Sequence, residues 1–519
     1  NIIGYDVPVL ERLLGTDFSS CKITDTLVLS RLTDPSREGG HSLDSWGQRL
    51  GFPKGEHNDW DTFSQDMVDY CKQDVLVNVK VYNALRSVLA GFGSESISLE
   101  HQVQSIITKQ TDNGWLLDQE HAFILLAQLK EKKYDLEDKV HETFKPLPTF
   151  IKEITPKYKK DGTMSVVGLK FLGDQWENYT APFSRIDYPA FNLGSRQQIG
   201  RYLQFFGWKP EKFTEKGHVI VDEAILSKVT GIPEANMIAE YLMVQKRIAQ
   251  VQSWLDAVED DGRVHGYVNA NGAVTGRMTH SSPNVAQVPS SSAPYGKDCR
   301  ACWTVPKGYK VVGMDASGLE LRMLAHYMND EGYTNEILTG DIHTANQLAS
   351  GVDTRSQAKT FIYAFLYGAG DAKIGSIVGG TARDGKRLKE KFLSNTPSLK
   401  DLRERVSVAS GRGYVHGLDR RRVAVRSEHS ALNTLLQSAG AIVMKKALCL
   451  LDEYASAWKI DYKFIGNIHD EIQTEVRADE AEVFGRLAVS CVEAAGTYYK
   501  LNCPLAGEYQ VGDNWSETH

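Results

Sequence analysis

Two cations and two aromatic rings recur at every fourth residue, at Arg355, Lys359, Tyr363 and Tyr367. Because four residues turn an α-helix by about 400°, successive side chains drift by only about 40° and share one face. The apolar residues between them are expected to face the protein: Ala358, Phe361, Ile362, Phe365 and Leu366. The polar face fits a nucleoside triphosphate, since cations can hold phosphates and a ring can stack on a base. A solvated helix face is the alternative, and it explains the cations but not the rings.

Both ends of this helix are indicated by the sequence. Asp353 or Thr354 can cap its amino end, and the run 368–370, Gly-Ala-Gly, provides the backbone freedom to stop it. Just upstream, His343 offers an imidazole that could reach the same phosphates, with a structural role as the alternative.

Two isolated acids lie on either side of this helix in the sequence. Residues 310–315 read as a buried strand that ends on Asp315, followed by a helical run from Leu319. Residues 462–468 and 472–476 read as a hairpin whose tip is 469–471, His-Asp-Glu. Asp315 and Asp470 could bridge two Mg²⁺ ions about 3.5 to 4 Å apart, as in-line phosphoryl transfer requires.

A third segment is rich in turn residues and combines with the others into an ordered set of motifs. Its sequence is T-G-R at 275–277 followed by P-N-x-x-Q-x-P at 283–289. D-A-S-G-L-E-L-R, the Arg/Lys/Tyr/Tyr-Gly helix, L-N-T-L-L-Q-S-A-G-A and H-D-E then follow in order. This order resembles that of family A DNA polymerases. The sequence of residues 360–370 resembles that of the replicative enzymes of short-tailed bacteriophages.

The resemblance covers nearly the whole chain and implies an α/β multidomain fold of the right-hand polymerase type. It implies a partial ribonuclease-H-like 3′–5′ exonuclease domain at 1–92 and a thumb at 99–257 with an insertion at 146–190. The palm would comprise 258–327 and 433–519, as an antiparallel sheet that carries both acids. The fingers would comprise 328–432, with the cationic helix rotating as they close on a matched nucleotide.

The resemblance also implies a role for each motif residue. Asp315 and Asp470 match the ligands of two Mg²⁺ ions, for which Mn²⁺ can substitute, and the Ala316 carbonyl matches a further ligand. Glu471 is a neighbour of the metal site and is counted with the two aspartates as catalytic. Arg355, Lys359 and His343 match positions that bind the triphosphate, and Lys359 is also counted as catalytic. Tyr363 matches the residue beside the incoming sugar, and Glu320 is expected to hydrogen-bond Tyr363 and to leave no room for a 2′-hydroxyl.

The remaining matched residues are expected to contact DNA. Arg277 and Gln437 match donors to the minor groove at the primer end, where correct pairs present an acceptor in nearly the same place. Asn433 lies four residues before Gln437, so both share a helix face, although a pair of surface amides is the alternative. The other expected contacts are Tyr367 near the templating base, His469, which supports either the primer terminus or Asp470, Asn284 and Gln287.

The first residues resemble two motifs of a proofreading exonuclease. Asp6 matches one motif, and Tyr70 with Asp74 matches another. The Asp-x-Glu that such a site also needs would lie before residue 1, so this polypeptide alone is not expected to proofread. A separate polypeptide carrying the missing strand could restore the activity.

The resemblance implies primer-template DNA and dNTPs as partners, and it suggests others. Phage relatives bind host thioredoxin at an insertion in the thumb, but the segment here is shorter. It either binds thioredoxin or another processivity factor, or it is a surface excursion. A replicative helicase is a further candidate partner.

Composition agrees with an enzyme in the cytoplasm of an infected bacterium. Seven cysteines suggest reduced thiols, and 42% hydrophobic content without an 18-residue apolar run argues against a membrane span. The net charge of −7 is unusual for a DNA-binding protein, but local clusters matter more than the sum. Two basic clusters are candidates for DNA backbone contacts: Arg383, Lys386, Arg387, Lys389 and Lys391, and Arg412, Arg420, Arg421, Arg422 and Arg426.

Two other functions are compatible with parts of this pattern. A single-subunit phage RNA polymerase shares the fold and both acids, but Glu320 beside Tyr363 favours deoxynucleotides. A catalytically silent DNA-binding protein would not need Asp315, Asp470, Arg355 and Lys359 together.

Overall fold

The computed structural model describes residues 1–165 and 181–518. Their contacts form two compact units. The first comprises Asn1–Gln119 with Trp254–His519, and the second comprises Glu120–Ser253.

The amino-terminal part of the first unit is helical. After a short turn at Ile2–Asp6, helices α1 to α5 span Val7–Leu14, Thr26–Thr33, Leu43–Arg49, Gln65–Leu89 and Ser94–Asn113. Leu29, Trp46 and Val81 form part of a core shared by α2, α3 and α4. Residues 1–113, all of them described, contain no strand. The region predicted as a partial exonuclease domain therefore contains helices but no ribonuclease-H-like sheet.

In its described residues, the second unit contains several helices and one hairpin. Strand β1, Trp115–Leu117, precedes it, and α6 begins at its boundary. Its elements are α6 Gln119–Thr143, β2 Thr149–Ile154, β3 Phe183–Asp187, α7 Arg196–Phe205, α8 Glu223–Leu226 and α9 Pro233–Leu255. The antiparallel pair β2–β3 lies in the predicted insertion 146–190, of which residues 166–180 are outside the described residues.

Small strands then lead into the main sheet. They are β4 Arg263–Val264, β5 Tyr267–Asn269, β6 Thr279–Ser281 and, after helix α10 at Gly296–Ala301, β7 Trp303–Thr304. Strand β1 pairs with β4 and β7, and β5 pairs with β6. Buried indole rings support this region, with the ring of Trp115 centred 5.4 Å from that of Trp303 and 4.9 Å from that of Trp515.

Strand β8, Tyr309–Ala316, is followed by a long helical excursion. Its helices are α11 Leu319–Met328, α12 Glu331–Leu338, α13 Ile342–Ser350, α14 Arg355–Leu366, α15 Asp371–Ile377, α16 Ala382–Asn395 and α17 Pro397–Ser410. The hairpin of β9 Tyr414–His416 and β10 Arg422–Ala424 ends the excursion. This excursion contains most of the segment predicted as fingers, 328–432, together with α11, which lies mainly in the segment predicted as palm.

The last elements complete the main sheet. They are α18 Ala431–Ala457, β11 Tyr462–Ile468, β12 Glu471–Arg477, α19 Ala481–Tyr498 and β13 Gly507–Gly512. The strand order is β11-β12-β8-β13, and every neighbouring pair is antiparallel. The expected antiparallel sheet carrying both acids is confirmed, with Asp315 near the end of β8 and Asp470 in the β11–β12 turn.

The core helix of this unit has the length and composition of a membrane span but is buried in the protein. Among the described residues, the segment Glu428–Ala457 is long and apolar enough to cross a membrane by length and composition. Within the protein, however, 83% of its most apolar 18-residue window is buried. Its apolar residues therefore pack in the core against α5, α11, α17 and α19, as Leu435, Ile442 and Leu448 illustrate.

Candidate active site

The sheet brings the two predicted metal ligands together. In the β8–β12 register, Asp315 pairs with Glu471, the residue after Asp470. The Ala316 amide donates a hydrogen bond to the Asp470 carbonyl at 3.2 Å, which closes the sheet at this edge. His469 takes a left-handed conformation with φ of 57°, so the two-residue turn is tight and presents Asp470 at its tip. Two residues remote in sequence therefore become neighbours.

The surroundings of both carboxylates disfavour negative charge. Solvent reaches Asp315, yet the enclosing protein and then the charges of Glu471, Asp470 and Glu508 raise its pKa to about 7. Burial also raises the pKa of Asp470, with Glu320 adding to the rise, while Arg277 and His469 oppose it. A bound cation would remove this penalty, because it would stabilise the charged forms of both groups.

Replacing Asp315 by asparagine is expected to stabilise the metal-free fold at pH 8 while removing activity. An aspartate with a pKa of about 7 opposes folding above that pH. The penalty is absent below the ordinary aspartate pKa of about 4 and grows as the pH rises toward 7. Because solvent reaches this carboxylate, we expect only about 1 kcal/mol, or a melting temperature higher by about 1 to 2 °C.

Thermal unfolding with a chelator at pH 8 and pH 4 measures this effect. The difference between Asp315→Asn and the unmodified chain should vanish at pH 4. An asparagine variant that melts lower than the parent at pH 8 would contradict the expected charge penalty.

Glu471 lies beside the two aspartates, but its carboxylate is held by other groups. The Trp515 indole donates to Oε1 at 2.5 Å, and the Gln473 side-chain amide donates to the same oxygen. The Arg300 guanidinium lies 3.9 Å away. The Glu471 side chain is buried, so water screens little of its negative charge. That charge helps to raise the pKa of the neighbouring Asp315. Its metal-site role stays a prediction.

Arg277 connects the third motif to the acids. It follows Gly276, whose φ of 79° suits glycine, in a turn closed by the Gly276 amide donating to the Ala273 carbonyl at 2.8 Å. The Arg277 guanidinium lies 3.5 Å from Glu320 Oε1 and 3.7 Å from Asp470 Oδ1. A cation therefore stands where the predicted primer end would approach the acids.

The rest of that motif lies beside a different cavity. Asn284 and Gln287 flank and end the short helix Val285–Gln287. Val285 helps to line a cavity with His280 and Ile468, and burial lowers the pKa of His280 to about 4. Among the described contacts, none places Asn284 or Gln287 against the two acids. Their DNA contacts stay predictions.

The cationic face predicted from the sequence is confirmed as a helix. Helix α14 begins at Arg355 and ends at Leu366, and Thr354 caps it in a reciprocal capping box with Gln357. All five residues predicted to face the protein are buried. Arg355 and Lys359 are exposed on the opposite face. The amphipathic period thus sets which side chains face the open site.

Arg355 is exposed, but its guanidinium already forms an ion pair within the protein. Its Nε lies 2.6 Å from Asp341 Oδ2 and its Nη2 lies 3.1 Å from Oδ1, a bidentate geometry. Asp341 also caps α13 by accepting the His343 amide at 3.1 Å. Burial, with the charges of Arg355 and Lys359, lowers the pKa of His343. His343 is therefore neutral near pH 7 and would act as a hydrogen-bonding group rather than a cation.

The two tyrosines of α14 differ from expectation in their partners. Glu320 is expected from the sequence to hydrogen-bond Tyr363. Instead, the Tyr367 hydroxyl donates a hydrogen bond to Glu320 Oε1 at 2.6 Å. Tyr367 lies one helical turn further on, so the sequence-based choice of tyrosine was wrong by one turn. Tyr363 still faces the acids, since burial and the charges of Glu320 and Asp470 raise the pKa of its hydroxyl. Its ring centre lies 6.4 Å from that of His343.

Helix α18 presents the two predicted amides. Asn433 and Gln437 are half-buried in its first two turns. One turn and two turns beyond Gln437, Ala441 and Lys445 line a small cavity with Arg277 and His469. The helix that carries Gln437, one of the two predicted minor-groove donors, therefore reaches the turn that carries Arg277, the other donor.

The exonuclease-like residues form a separate group in the amino-terminal helices. Asp6 and Asp74 line one open cavity, and Lys54 lies 3.3 Å from Asp74. The Tyr70 ring packs 5.3 Å from that of Trp60, centre to centre. Two carboxylates thus share a cavity, whereas the resemblance implies four for a complete exonuclease site.

Several contributing residues carry no local sequence signal. Asp341 pairs with Arg355, and Trp515 donates a hydrogen bond to Glu471. Glu508 lies on β13, directly opposite Asp315 on the neighbouring strand β8. One basic residue also differs from prediction. Arg421, expected to be a candidate for DNA contact, is buried between Glu100 and Asp419. Only the three-dimensional packing identifies these partners.

The donor atoms at the two aspartates suit a hard divalent cation. Both offer carboxylate oxygens, and the Ala316 carbonyl is adjacent. Within residues 1–165 and 181–518, no group of three or more His, Cys, Asp or Glu side chains is arranged to hold a metal by itself. Mg²⁺ characteristically binds through one or two carboxylates, water and substrate phosphates rather than through such a protein cage.

An antiparallel sheet with paired carboxylates, faced by a helix of cations and aromatic rings, defines a polymerase of the right-hand fold. The sequence profile of DNA polymerase family A matches residues 170–517. The chain belongs to DNA polymerase family A, and its enzymatic activity is that of a DNA-directed DNA polymerase.

Phage enzymes are among its relatives. The chain is 37% identical to the DNA-directed DNA polymerase of Escherichia phage T7 over 643 aligned positions, covering 99% of this chain and 91% of the relative. It is 24% identical to the DNA polymerase of Mycobacterium phage L5, covering 92% and 77% of the two chains. Because the first alignment exceeds 519 residues, the T7 enzyme carries segments in that span that this chain lacks.

A solved structure shares the fold. The POL domain of Pol1 from M. smegmatis, in complex with DNA primer-template and dNTP, superposes with a TM-score of 0.78 at 20% identity. The match covers 95% of this chain and 82% of that one.

Proposed function

We propose that this chain extends a primer 3′-hydroxyl with dNTPs on a DNA template by two-metal phosphoryl transfer, for the genome replication of a short-tailed phage. The observation that supports this most strongly is the meeting of Asp315 and Asp470 at one sheet edge beside a cationic helix. The 37% identity to the T7 enzyme supports the replicative role.

The residues at the sheet edge fit divalent cations. Asp315, Asp470 and the Ala316 carbonyl would hold them, and the Arg277 guanidinium, 3.7 Å from Asp470, offsets part of the negative charge before they bind. Bound Mg²⁺, or Mn²⁺ in its place, supplies activation of the primer hydroxyl and neutralisation of charge at the leaving oxygen. The raised pKa values of both aspartates are the expected state of such a site before its cations bind.

The helix α14 supplies the nucleotide site in this proposal. Lys359 and Arg355 hold the triphosphate as permanent cations, and neutral His343 donates a hydrogen bond to it. Arg355 must leave Asp341 to do so, because its guanidinium fork is already occupied. These contacts position the α-phosphate for attack, which is the main catalytic task in phosphoryl transfer.

Sugar selection rests on the opposite end of the same helix. The Glu320 carboxylate, fixed by the Tyr367 hydroxyl, occupies the space beside Tyr363 where a 2′-hydroxyl would lie. This arrangement favours dNTPs over NTPs. Arg277 and Gln437 test the primer-end pair through the minor groove, and Asn433, His469, Asn284, Gln287 and Tyr367 contribute the remaining DNA contacts.

Replacing Tyr363 by phenylalanine is expected to increase discrimination against dideoxynucleotides. The phenolic oxygen can stand in for the missing 3′-hydroxyl contact, and its loss removes one hydrogen bond near a charged group. We expect an increase of about tenfold or more, since such a bond contributes about 1.5 to 3 kcal/mol. Competition between ddNTP and dNTP in primer extension measures it, with Phe361→Leu, at a buried position of the same helix, as control. Equal use of ddNTPs by both forms would refute the role of Tyr363.

The central experiment is primer extension with the purified chain, Mg²⁺ and either dNTPs or NTPs. Extension with dNTPs, and much slower extension with NTPs, is expected. Preference for NTPs would favour a phage RNA polymerase, which shares the fold and the two acids. DNA binding without incorporation would favour a catalytically silent DNA-binding protein.

We further propose that this polypeptide does not proofread alone. Asp6 and Asp74 are two carboxylates, whereas two-metal hydrolysis at such a site needs four, and no strand lies between residues 1 and 113 to carry others. Incubation with a labelled single-stranded primer and Mg²⁺ should leave the primer intact, while rapid digestion would overturn the proposal. Digestion that appears only with a second polypeptide would identify a donor of the missing strand.

Other finer assignments remain proposals. We assign 1–92 as the exonuclease-like region, 99–257 as the thumb, 258–327 with 433–519 as the palm, and 328–432 as the fingers. The hairpin β2–β3 carries exposed Phe150 and Ile186 as a cross-strand pair, which suits a protein partner such as thioredoxin or another processivity factor. A replicative helicase is a further partner, and the infected cell's cytoplasm is the proposed location.

A further inference from the structure

Four charged side chains form a cluster in the core of the first unit. They are Glu100 on α5, Asp419 and Arg421 in the β9–β10 turn, and Lys445 on α18, and all four are buried. Arg421 Nη1 lies 2.5 Å from Glu100 Oε1, and Lys445 Nζ lies 2.7 and 2.8 Å from the two Glu100 oxygens. Arg421 also binds Asp419 through Nε at 2.9 Å and Nη2 at 2.6 Å. Two positive and two negative charges balance.

A cluster of this kind costs free energy to bury, so packing alone does not explain it. Removing several ions from water costs more than apolar side chains of the same volume would. Hydrophobic neighbours such as Leu99, Val103 and Ile442 already join α5 to α18. Directional hydrogen bonds differ from such contacts because they fix the position and rotation of each segment. The cluster is therefore suited to fixing geometry.

The segment that the cluster touches carries Arg277. A Cβ on Gly276 would lie 2.9 Å from Arg421 Nη1, so the backbone of this turn rests directly on the buried guanidinium. Lys445 lines the same small cavity as Gly276 and Arg277. Arg277 in turn lies 3.7 Å from Asp470. The cluster therefore contacts the turn that carries Arg277, and Arg277 itself lies beside Asp470.

The same cluster anchors the second predicted minor-groove donor. Lys445 lies eight residues after Gln437 on α18, and Asn433, Gln437, Ala441 and Lys445 follow one another at intervals of four. Such residues lie along one side of a helix, so the Lys445–Glu100 bonds fix the rotation of the side that presents Gln437. Both predicted donors thus depend on one set of buried bonds.

We propose that Glu100, Arg421 and Lys445 are positioning residues that hold Arg277 and Gln437 in register with each other, and thereby determine how strictly primer-end pairing is tested. This inference rests on the proposed function. Two donors can test a base pair only if their separation is fixed, because correct pairs present their minor-groove acceptors in nearly the same place and mispairs displace them. A site of this kind needs a tolerance of about 0.5 Å.

The test compares two double variants with equal loss of buried charge. Glu100→Gln with Lys445→Met removes one ion pair from the cluster and leaves the balanced Arg421–Asp419 pair. The control, Arg263→Met with Glu475→Gln, removes a buried pair joined at 2.8 Å between β4 and β12. Each protein extends a matched and a mismatched primer terminus, and kcat and KM for the next dNTP are measured.

The cluster variant should lose about tenfold in discrimination between the two termini, about 1.4 kcal/mol in differential transition-state energy. Its kcat/KM at the matched terminus should change by less than about threefold. The control should keep the parental discrimination. Equal discrimination in the cluster variant and the parent, or equal losses in cluster variant and control, would overturn the inference.

A second variant, Arg421→Lys, tests the cluster without removing charge, because it loses the forked hydrogen bonds that the Arg421 guanidinium makes to Asp419 and Glu100. It should lower discrimination in the same direction, and it decides the matter if the double variant does not fold by circular dichroism. Unchanged discrimination in folded Arg421→Lys would count against the inference. If the unmodified chain extends neither terminus, the proposed function fails, which distinguishes that outcome from failure of the positioning role alone.

Discussion

Replacing Asp470 by alanine is expected to reduce primer extension by at least about 1,000-fold while DNA binding is retained. The residue stands at the tip of the β11–β12 turn, beside Asp315, and its carboxylate is proposed to be shared by both cations. Loss of a shared ligand removes several kcal/mol of charge stabilisation from the transition state, and each 1.36 kcal/mol is tenfold in rate. Single-turnover extension measures the rate, and fluorescence anisotropy of labelled primer-template measures binding.

Asp513→Asn provides a matched control for this experiment. Asp513 is an exposed aspartate near the opposite end of β8, paired with Lys310 at 2.6 Å. Its replacement removes the same charge from the same part of the fold and should leave extension within about twofold of the parent, because exposed ion pairs contribute little. Near-normal extension by Asp470→Ala would remove the basis for a catalytic site at this sheet edge.

Replacing Lys359 by alanine is expected to lower kcat/KM for dNTPs by about 100- to 1,000-fold. Lys359 is exposed on the polar face of α14, one turn from Arg355 and one turn from Tyr363. It is proposed to contact the triphosphate and to stabilise the charge that develops on it, so both kcat and KM should change. Removing one such electrostatic contact typically costs about 3 to 4 kcal/mol. Pre-steady-state incorporation over a range of dNTP concentrations separates the two effects.

Lys373→Ala is the appropriate comparison for Lys359→Ala. Lys373 lies on α15, the next helix, and is also exposed. It carries the same charge without facing the acids in any described contact, so its loss should leave kcat/KM nearly unchanged. Equal losses in both variants would indicate a general effect of surface charge and would contradict a specific role for Lys359.

Much of the site could be predicted because its signals are local. Four-residue spacing in Arg355, Lys359 and Tyr363 defines a helix face wherever that helix lies in the fold. Thr354 signals a helix start through backbone chemistry that acts over three residues. The alternation around Asp470 likewise defines a hairpin tip. Such rules need only neighbours in sequence, and the structure confirms each of these elements.

The remaining features depend on segments that only the fold brings together. The Glu320 carboxylate could reach either tyrosine of α14, and the rotation of that helix against α11 decides in favour of Tyr367. Arg421 lies in a run of three arginines, 420–422, which is typical of an exposed basic surface. In the structure, however, α5, α18 and the β9–β10 turn enclose it. Nothing near Arg421 in sequence indicates Glu100. The two short motifs around Asp6 and Asp74 also could not indicate that residues 1–113 form helices and no strand.

In the proposed function, the Asp341–Arg355 pair makes nucleotide binding an exchange of anions instead of a simple attraction. Before substrate arrives, an internal carboxylate already satisfies both prongs of the guanidinium. Singly charged solutes such as chloride or acetate gain little by displacing it, whereas a multiply charged triphosphate gains much more. Because Asp341 also caps the helix of His343, it remains anchored after releasing Arg355 and can return at once when the product leaves. If Arg355 binds the triphosphate as proposed, Asp341 is an internal competitor that excludes weakly charged ligands.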